Sequence, residues 1–104
     1  MTKVDVNNLI IVNNEREHRW ETNVGQYLAV ANYQRQGDTL YFTSTEVPPE
    51  LEGQGIASKL VKTALEDARM KHLTVVPYCS FTAGYIKRHP EFQEMVHPDF
   101  RHLV

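Results

Sequence analysis

The chain of 104 residues contains a single cysteine, Cys79. That excludes an intramolecular disulfide framework and a zinc site built from cysteines alone. No apolar run approaches the roughly 18 residues that a membrane-spanning helix needs. Met1-Thr2-Lys3-Val4-Asp5 lacks the apolar stretch of a secretory leader. Neither sign of charge dominates, with 11 Lys and Arg against 13 Asp and Glu. A strongly basic nucleic-acid binder is thereby excluded on charge, although a small local anion site is not. Internal repeats, low-complexity tracts and linkers are missing as well. What is present is 41% hydrophobic and 10% aromatic residues, which do not match a disordered composition and suit one core. The expectation is one domain over 1–104, monomeric, cytosolic, with no metal, no membrane and no nucleic-acid partner.

The pattern changes near residue 48. Before it the chain is β-branched, aromatic and punctuated by turns. Leu9-Ile10-Ile11-Val12 reads as a strand ended by a turn at Asn13-Asn14. His18 to Thr22, Gln26 to Arg35 and Thr39 to Val47 read as three more, separated by turns at Asn23-Val24-Gly25 and Gln36-Gly37-Asp38. Short connections favour an antiparallel meander. Pro48-Pro49 stops the ladder, because proline lacks the backbone donor. From Gly55 to Lys71 the apolar residues Ile56, Leu60, Val61, Ala64, Leu65 and Ala68 follow a helical period. Thr74-Val75-Val76 reads as a fifth strand. A strand, a helix and a strand imply a parallel, right-handed crossover. Ser80 to His89 reads as a short helix, and Gln93 to Val96 as a last strand. The fold class expected is α/β (α+β), a twisted mixed sheet with an N-terminal meander, a β-α-β crossover and a short second helix.

Glu52-Gly53-Gln54-Gly55-Ile56-Ala57-Ser58 follows a strand and opens a helix. The first turn of a helix offers free N–H groups and a partial positive charge, and glycines let a ligand approach the backbone. Together these make a phosphate cradle, to which Lys59 and Lys62 can add charge. Spacing alone leaves a second reading open, a glycine loop that serves only backbone shape. The dinucleotide fingerprint fails at Ser58, and the Walker pattern also fails. His89, His97 and His102 with Asp99 show no strong metal-ligand spacing. Trp20, Tyr27, Tyr33, Tyr41 and Phe42 read as core, not as a platform for nucleobases.

The segment Val47 to Val61 resembles motif A of the Gcn5-related N-acetyltransferases, Arg/Gln-x-x-Gly-x-Gly/Ala, with Gly55 and Ala57 at its small positions. Glu52 departs from the motif's Arg/Gln. Val76-Pro77-Tyr78-Cys79-Ser80-Phe81 and Tyr85-Ile86-Lys87-Arg88-His89-Pro90-Glu91-Phe92 narrow the resemblance to a compact subfamily of about one hundred residues. That subfamily lacks the usual N-terminal helices and pairs an E-G-x-G loop with a V-P-x-C segment. The resemblance implies acetyl-CoA as co-substrate, bound where strands Thr39–Val47 and Thr74–Cys79 splay. It puts the pyrophosphate on the backbone amides of Gln54, Gly55, Ile56, Ala57 and Ser58, with Gly53 a further cofactor-binding residue of the loop. The pantetheine arm would lie along Thr45, Glu46 and Val47. Ser80, Lys87 and Arg88 are further candidate contacts for CoA.

Transfer of an acetyl group to an amine needs a positioned thioester, removal of a proton from the amine, and an acid for the departing thiolate. Cys79 is a candidate acyl acceptor or acid, and equally a small buried apolar residue. Tyr85 matches the tyrosine that many family members use as the acid, or packs one face of its helix. Ser44 stands where the subfamily often has His, and Glu46, two residues on, is a candidate base. The acceptor implied is an amine on a small molecule or protein. The competing reading is a CoA-binding module with little or no transferase activity, which Ser44 favours.

Overall fold

The computed structural model describes residues 3–104. Its centre is a five-stranded sheet in sequential order, β1 (Val12–Asn14), β2 (Arg19–Val24), β3 (Tyr27–Gln36), β4 (Thr39–Glu46) and β5 (Thr74–Pro77). The first four pair antiparallel, and β5 joins β4 in parallel. Two-residue loops at Gly25-Gln26 and Gly37-Asp38 make the β2–β3 and β3–β4 hairpins. In each the glycine comes first at φ +60°, where an L side chain is strained and the hairpin twist is matched.

Helix α1 (Ile56–Met70) crosses from β4 to β5 and covers one sheet face. Its buried side chains are the six that the helical period selects: Ile56, Leu60, Val61, Ala64, Leu65 and Ala68. They meet Trp20, Ala29, Ala31, Tyr33, Leu40 and Phe42 from the strands. Helix α2 (Ser80–Arg88) adds Tyr85 and Ile86 to the same core.

Two strand expectations are corrected. Leu9–Ile11 is not paired, and β1 holds only Val12–Asn14. Leu9 and Ile11 pack against the core, while the Ile10 carbonyl accepts from the Thr22 hydroxyl at 2.9 Å in place of a ladder bond. Asn13 and Asn14 are strand residues, not a turn. Asn13 accepts from the Tyr33 hydroxyl at 2.6 Å, and Asn14 donates to Glu21 at 2.9 Å. The turn moves on to Glu15–His18. Gln93–Val96 is likewise not a strand. Pro90–Met95 is a 3-10 helix that buries Phe92 and Met95, three residues apart, and the Arg69 guanidinium lies 4.4 Å from the Phe92 ring centre. Val96 keeps a single parallel bridge to Val75. The tail forms a further 3-10 helix, Pro98–Leu103, with Phe100 edge-on to Tyr78.

One irregularity positions the site. Asn32 pairs with Ser44 and Tyr33 with Phe42, so Thr43 is an extra residue in β4. Such a bulge shifts the alternation of side chains. Phe42 and Thr45 therefore both face α1, whereas Ser44 and Glu46 project with Asn32 from the opposite face.

Candidate functional site

β4 and β5 pair from Thr39 with Thr74 to Phe42 with Pro77 and then separate. The last link is the Cys79 N–H donating to the Phe42 carbonyl at 2.8 Å. Beyond it Ser44–Glu46 have no strand partner on that side among the described residues. The gap exposes backbone groups that an extended ligand can pair with, since such groups demand partners.

The end of the gap is occupied by Cys79, which is buried and precedes α2. Its sulfur lies 3.3 Å from the Thr45 hydroxyl. Burial pushes the thiol up, but the Thr45 hydroxyl and the backbone and side chain of Thr82, with the Phe81 backbone, outweigh it and hold the thiol below its ordinary value. The neutral thiol makes no ordinary capping hydrogen bond. The Thr45 hydroxyl is the strongest pull toward thiolate, and the N–H groups at the positive end of α2 add to it. Thr82 is fully buried, and apart from its approach to the Cys79 sulfur its hydroxyl has no hydrogen-bond partner among the described residues.

At the other side of the gap, α1 starts without a side-chain cap and without an acid in its first turn. Its first helical bond is from the Lys59 N–H to the Gly55 carbonyl at 3.1 Å. The Ile56, Ala57 and Ser58 N–H groups precede it and lack helical acceptors. Gly53 and Gly55 have φ of +78° and +85°, which turns the chain sharply into the helix. Ile56 buries its side chain in the core and offers only its backbone. The Gln54 side chain accepts from the Val4 N–H at 2.8 Å, which ties the N-terminal segment to this loop.

These parts line one continuous groove. A cavity of about 590 Å³ is bounded by Leu28, Thr45, Glu46, Val47, Pro48, Glu52, Ala57 and Phe81. A second of about 390 Å³ shares Val47, Glu52, Ala57 and Phe81 with it and adds Gly53, Gly55 and Ser58. A third of about 330 Å³ shares Gly55 and Ser58 with the second and ends at Lys59, Lys62, Tyr85 and Arg88. The groove thus runs from the β4 gap past the uncapped helix to a cationic end.

The structure does not bring every expected residue together. Thr45, Glu46 and Val47 line the first cavity. Ser44 is on the far face, where the Asn32 amide donates to it at 2.9 Å and to the Glu46 carboxylate at 2.8 Å. Tyr85 opens on the cationic cavity, not on the cavity that Thr45 and Glu46 line, and its ring stacks on His89 at 3.9 Å. Burial, with Glu66 and Glu91 nearby, raises its hydroxyl. Arg88 lines that same cavity, while Lys87 and Ser80 are exposed and line none of the three. Among the described residues no cluster of three His, Cys, Asp or Glu suits a metal, and no helix is long and apolar enough to cross a membrane.

Sequence reading missed Asn32, Phe81, Thr82 and the N-terminal residues Val6 and Asn7. Phe81 carried a signal, since it directly follows Cys79-Ser80 at the start of a helix. The others meet the groove only through long-range contacts. A separate cavity of about 200 Å³, near the C-terminal end of α1, is lined by His18, Trp20, Tyr33, Arg35 and Lys71, among others.

A mixed sheet that splays beside an uncapped glycine-led helix is the architecture that the motif resemblance implies. A family model described as GCN5-related N-acetyl-transferase matches residues 19–95, from the start of β2 to the end of the 3-10 helix after α2. The match takes in the whole groove apart from the N-terminal residues, and the chain belongs to the GCN5-related N-acetyltransferase family.

Proposed function

We propose that the chain binds acetyl-CoA along the groove and transfers the acetyl group to an amine. The observation that carries this reading is the continuity of the β4 gap with the uncapped α1 terminus. A long ligand with a backbone-pairing arm and a central pyrophosphate suits that order of features. The pyrophosphate accepts from the Ile56, Ala57 and Ser58 N–H groups, where the helix dipole favours negative charge. The pantetheine arm pairs with Thr45–Val47, which sets the thioester beside Cys79.

In the transfer the amine nitrogen bonds to the carbonyl carbon, the carbon–sulfur bond breaks and CoA leaves as a thiolate. Glu46 is the proposed base, because it lines the first cavity and can take the amine proton directly or through water. Cys79 is the proposed acid ahead of Tyr85. Its thiol is held below the ordinary value, so passing a proton to an ordinary thiolate is downhill. Tyr85 is instead a weakened acid on another cavity.

One observation favours the second reading, a CoA-binding module with slow turnover. Ser44 cannot act as an unassisted base near neutral pH, and Asn32 engages both Ser44 and Glu46. The two readings separate by measuring CoA release with acetyl-CoA and a panel of small amines, peptide N-termini and lysine peptides, beside binding. Binding with amine-dependent CoA release supports transfer. Binding without it supports the module. No binding sinks both.

A further inference from the structure

We infer that Asn32 is a positioning residue for the acetyl transfer: its side-chain amide clamps the Glu46 carboxylate in the pose from which it takes the amine proton. The inference rests on the reading of Glu46 as the base, and it adds a residue outside the groove that sets the rate through Glu46. The contact that would tie up the base in a binding module is the contact that orients it in a transferase. The sign of its effect on the rate tells the two apart.

Asn32 is half-buried in β3, the middle strand of the sheet, and is paired with Arg19 of β2 on one side and Ser44 of β4 on the other. Its backbone is therefore fixed from both sides. The extra residue at Thr43 puts Ser44 and Glu46 on the face that Asn32 shares. The Asn32 amide nitrogen donates to the Ser44 hydroxyl at 2.9 Å and to the Glu46 Oε2 at 2.8 Å. An amide nitrogen carries two hydrogens, so both are used. An ionised carboxylate only accepts, so the nitrogen of the amide, not its oxygen, must face Glu46.

Glu46 is exposed, and an exposed glutamate otherwise spreads over many rotamers, a freedom it must give up each time it meets an amine. The clamp engages one carboxylate oxygen and leaves Oε1 without a hydrogen bond among the described residues. Arg19, the neighbouring cation on that sheet face, is held by Glu21 at 2.8 Å and does not compete for Glu46. Glu46 lines the first cavity and Asn32 does not, so Asn32 reaches the reaction only through Glu46. Orientation matters most at such a group, since a misplacement of about 1 Å can cost about 100-fold in rate.

The test measures CoA release from acetyl-CoA with the amine of the panel that wild type uses fastest. The proteins are wild type, Asn32→Ala, Asn32→Asp, Glu46→Gln and the Asn32→Ala/Glu46→Gln double variant, with melting curves to check folding. Asn32→Ala should lower kcat about 10-fold to 100-fold and leave the KM for acetyl-CoA in place, the pattern of an interaction used only in the transition state. Asn32→Asp keeps the shape but loses the donor, so above the carboxylate range it should lose at least as much. In the Glu46→Gln background Asn32→Ala should cost nothing further, because the two residues act as one unit. A readout free of turnover is the Asn32 side-chain amide signal in NMR, which should shift as acid protonates Glu46 and should lose that shift in Glu46→Gln. An unchanged or raised kcat in Asn32→Ala, a full rate in Asn32→Asp, additive losses in the double variant, or an amide signal indifferent to Glu46 overturns the clamp and leaves the transferase reading standing. A wild type that binds acetyl-CoA but releases no CoA with any amine of the panel overturns the transferase reading and the role of Asn32 with it.

Discussion

Replacing Gly55 with alanine and with glutamate separates backbone strain from loss of the anion site. Gly55 caps α1 at φ +85°, a left-handed conformation. An L side chain there costs roughly 1–2 kcal/mol. Steric conflict adds little, because a new Cβ would meet only the Val6 Cγ2 at 4.0 Å, an ordinary contact. Alanine should therefore lower stability by about 1–2 kcal/mol, with each kcal/mol moving the melting temperature of a domain this size by about 4–8 °C. Glutamate pays the same strain, but its charge near the helix start returns about 0.3–1 kcal/mol. The glutamate variant should thus be no less stable than the alanine variant. Binding should order them the other way. The glutamate carboxylate takes the place of a phosphate, and each hydrogen bond to a charged group that it displaces contributes about 1.5–3 kcal/mol. Loss of two such contacts weakens acetyl-CoA by about 100-fold or more. Calorimetric titration and thermal melting on the same preparations read both quantities. A folded Gly55→Glu variant that binds acetyl-CoA within about threefold of Gly55→Ala would refute the cradle.

Three further outcomes follow from the packing and the site. Leu60 is fully buried on the inner face of α1, so Leu60→Ala should cost about 2–5 kcal/mol in denaturant unfolding, and Leu60→Asp should prevent folding; an unchanged curve would show that the wrong helix face was assigned. The Cys79 thiolate, followed by ultraviolet absorbance, should form below the ordinary cysteine range, and Thr45→Val should move the midpoint up. Because the folded value lies below the unfolded one, this group adds stability above its unfolded value, and the addition disappears as pH falls through the folded value. A midpoint at or above the ordinary range contradicts the hydrogen-bond account. Finally, Ser44→His supplies an imidazole beside Glu46 and should raise the transfer rate, with general base catalysis typically contributing about 10²–10⁴-fold; intact acetyl-CoA binding with no gain in rate removes the missing base as the cause of slow turnover.

The legible parts of the chain were those set by local chemistry. Helix α1 declared itself through six apolar residues at helical spacing, and the β3–β4 hairpin through Gly37-Asp38; the turn signal at Asn23-Val24-Gly25 lies early, because Asn23 and Val24 pair in β2 and the loop is Gly25-Gln26. The glycine loop and its position before α1 were equally local. The errors arose where distant partners decide. The Ile10 carbonyl is taken by Thr22, twelve residues away, so an apolar run that reads as a strand becomes a packed edge. Val96 finds one bridge to Val75, and Phe92 and Met95 favour a three-residue period over a strand. The site was less legible than the fold for the same reason. Simple alternation puts Phe42, Ser44 and Glu46 on one face. The extra residue at Thr43 sends Ser44 and Glu46 to the other and turns Thr45 toward Cys79. Nothing in the sequence marks that bulge. The N-terminal part of the groove was equally hidden, since it depends on a bond between Val4 and Gln54 across fifty residues.

The central claim is the path of acetyl-CoA along the groove, and amide chemical shifts recorded during a titration with it test that path residue by residue. The account predicts the largest changes at Gly55, Ile56, Ala57 and Ser58, with a second group at Thr45, Glu46 and Cys79. The amides around His18, Trp20 and Tyr33, which line the separate cavity, should stay in place. Changes concentrated at that cavity, or none at the start of α1, would contradict it.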